Sequence, residues 1–131
     1  MTKYEVEYIF HLGAQAIVPT AYNNPLETIA TNVMGTVHVL ESARRYPGVK
    51  GVIVASSDKA YGKSDKPYEE NDPLRGDHTY EVSKSSADLI AYSYFKTYGL
   101  SIVITRFGNI YGPGDLNISR IVPGIMKTIL T

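Results

Sequence analysis

The chain has 131 residues, with 13 basic and 13 acidic side chains and no cysteine. That length supports one domain with one core, the zero formal charge disfavours phosphate-driven nucleic-acid binding, and the missing thiols exclude disulfides, thiolate catalysis and zinc–thiolate sites. No apolar run reaches the roughly 18 residues of a membrane span, and the start lacks the long apolar region of a signal peptide, which leaves the cytoplasm as the default location.

In chain order, Val6 to Leu12 is a short apolar run closed by Gly13, the pattern of a buried strand. Ala14 to Asn23 reads as a loop. Asn24-Pro25-Leu26-Glu27 has the form of a helix start: a capping Asn, Pro at the first helical position and Glu three after the cap. Leu26, Ile29, Val33, Val37 and Leu40 then recur at helical spacing to about Tyr46, and Pro47-Gly48 stops the run. Gly51 to Ala55 is a second buried strand. Ser56 to His78 is polar and punctuated by Gly62, Pro67, Pro73 and Gly76; so long a loop inside a compact domain is uncommon and often functional. A helix from about Thr79 to Tyr98 carries Ala87, Ala91, Tyr94 and Tyr98 along one side and ends at Gly99. Leu100 to Phe107 is a third strand, Gly108 to Asn117 is rich in turns, and Arg120 to Leu130 suits a last helix.

Strands separated by helices of this length imply right-handed βαβ crossovers and a parallel sheet in chain order, with the helices at about 25–46 and 79–98 on one face. The fold class is therefore α/β, one domain over 1–131. Ligands on such sheets bind beyond the carboxyl ends of the strands. The segments there are Leu12-Gly13-Ala14-Gln15, Ser56-Ser57-Asp58-Lys59 and Phe107-Gly108-Asn109.

Tyr80 and Lys84 lie one helical turn apart, and an ammonium beside a phenol favours phenolate, the form a working base needs. The same offset occurs at Tyr46/Lys50 and Tyr92/Lys96, so spacing alone also suits a solvated helix face. Context separates them: Tyr46/Lys50 spans Pro47-Gly48, Tyr92/Lys96 sits deep in a helix, and only Tyr80/Lys84 opens a helix after the long loop. Ser57 can supply a hydroxyl beside the phenol. His11, His38 and His78 show no ligand spacing; His11 reads as a strand histidine bonded to backbone, His38 as a helix-face residue, and no metal is assigned.

The stretches FHLGAQ (10–15), NPLETIATNVMGTVHVLE (24–41), VASSDKAYG (54–62), YEENDPL (68–74), YEVSK (80–84) and RFGNIYGPGD (106–115) together resemble the extended short-chain dehydrogenase/reductase family of nucleotide-sugar epimerases and dehydratases. The resemblance implies a Rossmann-like sheet, NAD as cofactor and a nucleotide-sugar substrate. It implies a catalytic triad of Ser57, Tyr80 and Lys84, with Tyr80 the acid/base for a sugar hydroxyl and Lys84 lowering its pKa and holding the nicotinamide ribose. Leu12, Gly13, Ala14, Gln15, Asn32 and Ala55 match positions that line NAD, and Asn109 one that touches the nucleotide-sugar phosphate. Asp58 and Lys59 match an acid that protonates the leaving hydroxyl and a base that takes a ring proton. Lys in place of the Glu of dTDP-glucose 4,6-dehydratases resembles CDP-glucose 4,6-dehydratases; a plain Asp58–Lys59 surface pair is the alternative.

No G-x-x-G-x-x-G occurs, so the glycine-rich βαβ unit that cradles the NAD pyrophosphate is missing from this sequence. The chain therefore reads as the middle of such an enzyme, or as a catalytically silent α/β fragment that persists by self-association or with a partner. By resemblance the two long helices pair into a dimeric four-helix bundle, and an open apolar strand edge adds a second route to a homodimer or larger assembly. No nucleic-acid or membrane partner is expected.

Overall fold

The computed structural model describes residues 1–130. Three strands form a parallel sheet in the order β1 (Tyr8–His11), β2 (Gly51–Ala55), β3 (Ile102–Thr105). In register, Phe10 lies beside Ile53 and Ile53 beside Val103. This is the expected strand order; β2 spans its expected residues, while β1 and β3 are shorter than their apolar runs.

Between β1 and β2 the chain forms α1 (Val18–Asn23), α2 (Pro25–Ile29), a π turn at Ala30–Met34 and α3 (Gly35–Arg45). The loop expected over Ala14–Asn23 is therefore half helix: Pro19 occupies a first-turn position, where its missing N–H costs nothing. Asn24 does stand at the start of α2 behind Pro25, but its side chain makes no capping bond; its carbonyl instead accepts from the Thr28 hydroxyl at 3.0 Å. Leu26, expected on the buried stripe, is 83% exposed, because the inward position of this turn goes to Thr28.

The 20-residue helix α4 (Thr79–Tyr98) follows the long loop, and α5 (Ile121–Leu130) ends the described chain. Gly99 terminates α4 in the left-handed conformation (φ 68°), as expected. Leu40 and Ala43 of α3, Val52 and Val54 of β2 and Ala91 of α4 form one buried cluster, with Ile9, Ile90, Tyr94, Ile102 and Ile104 against it. Both long helices thus cover the same face of the sheet, as right-handed crossovers between consecutive neighbours require. The opposite face carries Tyr8, Phe10 and Val103, all more than half exposed. The sheet is covered by described residues on one face only, so β1, expected to be a buried strand, has no fully buried residue.

The 56–78 segment is tightly tied rather than loose. A 3-10 turn at Asp58–Tyr61 opens it, with the Ser57 hydroxyl accepting from the Lys59 amide. Gly62 has φ 75°, and a Cβ there would lie 1.8 Å from the Arg75 carbonyl oxygen; a Cβ on Gly76 would lie 2.5 Å from the Glu81 backbone. Only glycine lets the loop close on itself and against the start of α4 at these two points.

Candidate active site

The carboxyl ends of the three strands open into one cleft of about 630 Å³, within the ordinary range of small-molecule sites. It gathers Leu12 and Ala14 after β1, Ala55 to Lys59 after β2, Phe107 to Asn109 after β3, and Tyr80 and Lys84 from α4. Of the residues expected at the site, only Gly13, Gln15 and Asn32 do not line it. Gly13 and Asn32 border a small recess that shares Ala14, Ala55 and Lys84 with it. Gln15 spends its side chain on Thr28 and on the Ile17 amide.

Asn32 lies in the π turn, a feature frequent at functional sites, and is 2% exposed. Its amide oxygen accepts from the Gln15 N–H at 2.7 Å, and its amide nitrogen donates to the Gln15 carbonyl and to Ser83 Oγ. Ser83 in turn donates to the Tyr80 carbonyl. Asn32 therefore ties the loop after β1 to the turn of α4 that carries Tyr80.

Tyr80 is 7% exposed and Lys84 8%. Burial pushes the Tyr80 phenol above the usual tyrosine range; the Asp58 charge adds to the rise, while the Ser57 hydroxyl and the Lys59 ammonium oppose it. The lowering expected from Lys84 is not what this geometry gives. Lys84 Nζ donates to the Ala55 carbonyl at 3.1 Å, and burial pushes its own pKa down. Ser57 Oγ donates to Asp58 at 3.0 Å, and Asp58 pairs with Lys59 at 3.4 Å. The pair is at once an ion pair and part of the cleft wall.

His11 departs from its expected backbone bond: its Nε2 meets Thr36 Oγ1 at 3.0 Å. Burial, followed by the Lys84 charge, pushes its pKa below the ordinary value of 6.5. Between the folded pKa and 6.5 the unfolded chain binds the extra proton more readily, so His11 makes the fold less stable as pH falls through that window. Thermal unfolding of wild type and His11→Gln across that range should show the steeper acid-side loss of melting temperature in wild type; parallel curves would contradict the shift.

Three groups escaped the sequence reading. Arg106 reaches from the end of β3 to grip Asp88 with two bonds, at 2.8 and 3.0 Å, and its Nη1 donates to Tyr61 Oη and the Glu70 carbonyl. His78, stacked between Tyr22 and Tyr80, pairs with the buried Glu81 at 3.3 Å. Arg120 lines the cleft and is held by Asp115 and the Ile110 carbonyl. Arg106 lies in the RFGNIYGPGD stretch, yet nothing in the sequence pairs it with Asp88, 18 residues earlier.

A parallel α/β sheet with tyrosine, lysine and serine gathered at its carboxyl edge defines a Rossmann-like fold. The chain belongs to the NAD dependent epimerase/dehydratase family, whose model matches residues 1–131. It is 34% identical over 139 residues to CDP-glucose 4,6-dehydratase of Salmonella typhimurium, covering 98% of this chain and 39% of that protein. UDP-glucuronate 4-epimerase of Thermodesulfobacterium geofontis is 32% identical over 130 residues, covering 95% and 39%. Among solved structures, the dTDP-glucose 4,6-dehydratase DesIV of Streptomyces venezuelae, with NAD and TYD bound, superposes with a TM-score of 0.86 at 34% identity, over 95% of this chain and 38% of that one. The chain thus spans about two fifths of these relatives' length. Among the described residues, no helix is long and apolar enough to cross a membrane.

Proposed function

We propose that this chain is the central, catalysis-bearing segment of an NAD-dependent nucleotide-sugar dehydratase or epimerase, nearer in its cleft chemistry to the CDP-glucose 4,6-dehydratases. The observation that carries the reading is the meeting of Ser57, Asp58, Lys59, Tyr80 and Lys84 in one cleft at the strand ends.

The cleft residues fit the nicotinamide half of NAD. Leu12, Ala14 and Ala55 offer small or apolar walls, and a Cβ at Gly13 would meet nothing within 4 Å, so the backbone there is approachable. Lys84, buried beside them with one donor on Ala55, has further donors for a ribose hydroxyl. Bound there, NAD would take a hydride from the sugar and return it. Tyr80 takes the proton of the sugar hydroxyl as it becomes a ketone, with Ser57 donating to the same oxygen. Transfer of one proton from Lys59 to Asp58 within their pair leaves an amine that removes a ring proton and a carboxylic acid that protonates the departing hydroxyl, so that water leaves and the ion pair is restored. Asn109, exposed on the cleft rim, faces the nucleotide-sugar phosphate. Asn32 and Gln15 act by holding the loop after β1 in place. Since burial raises the Tyr80 phenol, the ionised base forms only when cations approach it; Lys59 already acts in that sense.

Titration with NAD, followed by amide NMR, should move Leu12 to Gln15, Ala55 to Ser57, Tyr80 and Lys84. The dissociation constant should be about millimolar or weaker, since no pyrophosphate turn contributes. Shifts confined to other regions would contradict the assignment.

The same reading includes self-association. Leu89, Tyr92 and Phe95 are each close to half exposed on α4, while Ile90 packs on the core. Sedimentation at about 10 micromolar, far above the nanomolar constants of tight contacts, should show a dimer or larger species. Leu89→Glu with Phe95→Glu should dissolve a helix-pair contact; a monodisperse monomer in the unsubstituted chain would refute association.

A further inference from the structure

Arg106 is the first residue after β3 and leads into Phe107, Gly108 and Asn109 at the cleft, yet it does not itself line the cleft. Its partner Asp88 is 1% exposed, and a carboxylate buried so deeply needs a charged donor. Two guanidinium bonds, at 2.8 and 3.0 Å, meet that need. Two more run from Nη1 to the Tyr61 hydroxyl and to the Glu70 carbonyl, both at 2.8 Å, and do nothing for Asp88.

The pieces joined in this way are those that carry the ionisable groups of the cleft. Asp88 follows Tyr80 by eight residues and Lys84 by four, so the three share one face of α4. Tyr61 is the last residue of the 3-10 turn that begins with Asp58 and Lys59. The Asp58 amide donates to the carbonyl of Phe107, the residue next to Arg106, at 2.9 Å. The Glu70 carbonyl lies midway along the long loop, which returns to the same turn where the Arg75 amide donates to the Ala60 carbonyl. Ser85 Oγ of α4 also donates to the Ala60 carbonyl, but a neutral bond is about half as strong as a charged one.

We propose that Arg106 is a positioning residue of the cleft: its guanidinium sets the spacing between the turn that carries Asp58 and Lys59 and the helix face that carries Tyr80 and Lys84. It touches no reacting atom. The inference rests on the function proposed above for what those four groups do, but the spacing is a property of the chain and is tested without turnover, so the two readings fail separately. The planar fork matters, because four of its five N–H groups are spent on three separate partners. A lysine ammonium, with three donors on one atom, cannot hold both Asp88 oxygens and also reach Tyr61 and Glu70. A shift of about 1 Å between groups that must meet one substrate can cost about a hundredfold in rate.

Native-state amide exchange of the whole chain, followed by NMR, separates positioning from general stability. Tyr61→Phe removes one hydroxyl and leaves the Asp88–Arg106 pair whole. It should speed exchange at the Asp58 amide, bonded to Phe107, and at the Arg75 amide, bonded to Ala60, by about tenfold more than at the Val52 amide, bonded to Ser101 in the sheet. Arg106→Lys keeps the charge and should show the same local excess or a larger one. Exchange at Asp58 and Arg75 that changes only in step with Val52, as a purely structural role requires, would overturn the proposal, and so would an Arg106→Lys chain that matches wild type at Asp58. If Arg106→Lys does not fold, Tyr61→Phe decides alone.

Discussion

Asp88→Ala should cost the fold about 3 kcal/mol, because removing one member of a buried ion pair leaves the other's charge uncompensated. Asp88 is 1% exposed and holds the Arg106 guanidinium through both oxygens, while the Arg106 side chain keeps 24% exposure. That residual contact with solvent, and the bonds Arg106 retains to Tyr61 and Glu70, place the effect at the low end for buried pairs. Even so, it is a large share of the roughly 5–15 kcal/mol that holds such a domain together. Urea unfolding should show a lowered midpoint with an unchanged slope. The double variant Asp88→Leu/Arg106→Met should recover much of the loss, since two apolar groups leave no buried charge. A single-variant loss below about 0.5 kcal/mol, the range of ordinary surface changes, would show that the pair is not the clamp described.

A nucleotide-hexose incubated with NAD and this chain should yield no detectable 4-keto-6-deoxy sugar. The cleft gathers Ser57, Tyr80 and Lys84, but the sequence has no glycine-rich turn to hold a pyrophosphate. Positioning accounts for several powers of ten in rate, so half a cofactor site loses most of the reaction even when its chemical groups are in place. A product whose formation depends on Tyr80 would overturn this expectation.

The strand order, the shared face of the two long helices and the stop at Gly99 were legible because they follow from local signals and the handedness of crossovers. The cleft was legible because motifs after each strand converge wherever a parallel sheet ends. The α1 helix was not: Val18 to Asn23 is too short for a periodic pattern, and Pro19 reads as a breaker when it is a helix-starting residue. Leu26 misled because its spacing matched a stripe that the π turn rotates. Roles resting on long-range bonds were out of reach. Arg106 with Asp88, and His11 with Thr36, each join residues whose pairing only the folded chain reveals. The electrostatics of Tyr80 also escaped, because helical spacing puts Lys84 on its face while the fold turns that ammonium to Ala55.

The most direct test of the central claim is a chimera in which residues 1–131 replace the matching segment of the Salmonella typhimurium CDP-glucose 4,6-dehydratase, so that a cofactor turn and a substrate region flank this cleft. The chimera should bind NAD and convert CDP-glucose, and Tyr80→Phe should lower kcat by at least about a hundredfold, the contribution of one acid/base, while NAD stays bound. A chimera that binds NAD and CDP-glucose yet turns over no faster than its Tyr80→Phe variant would contradict the claim.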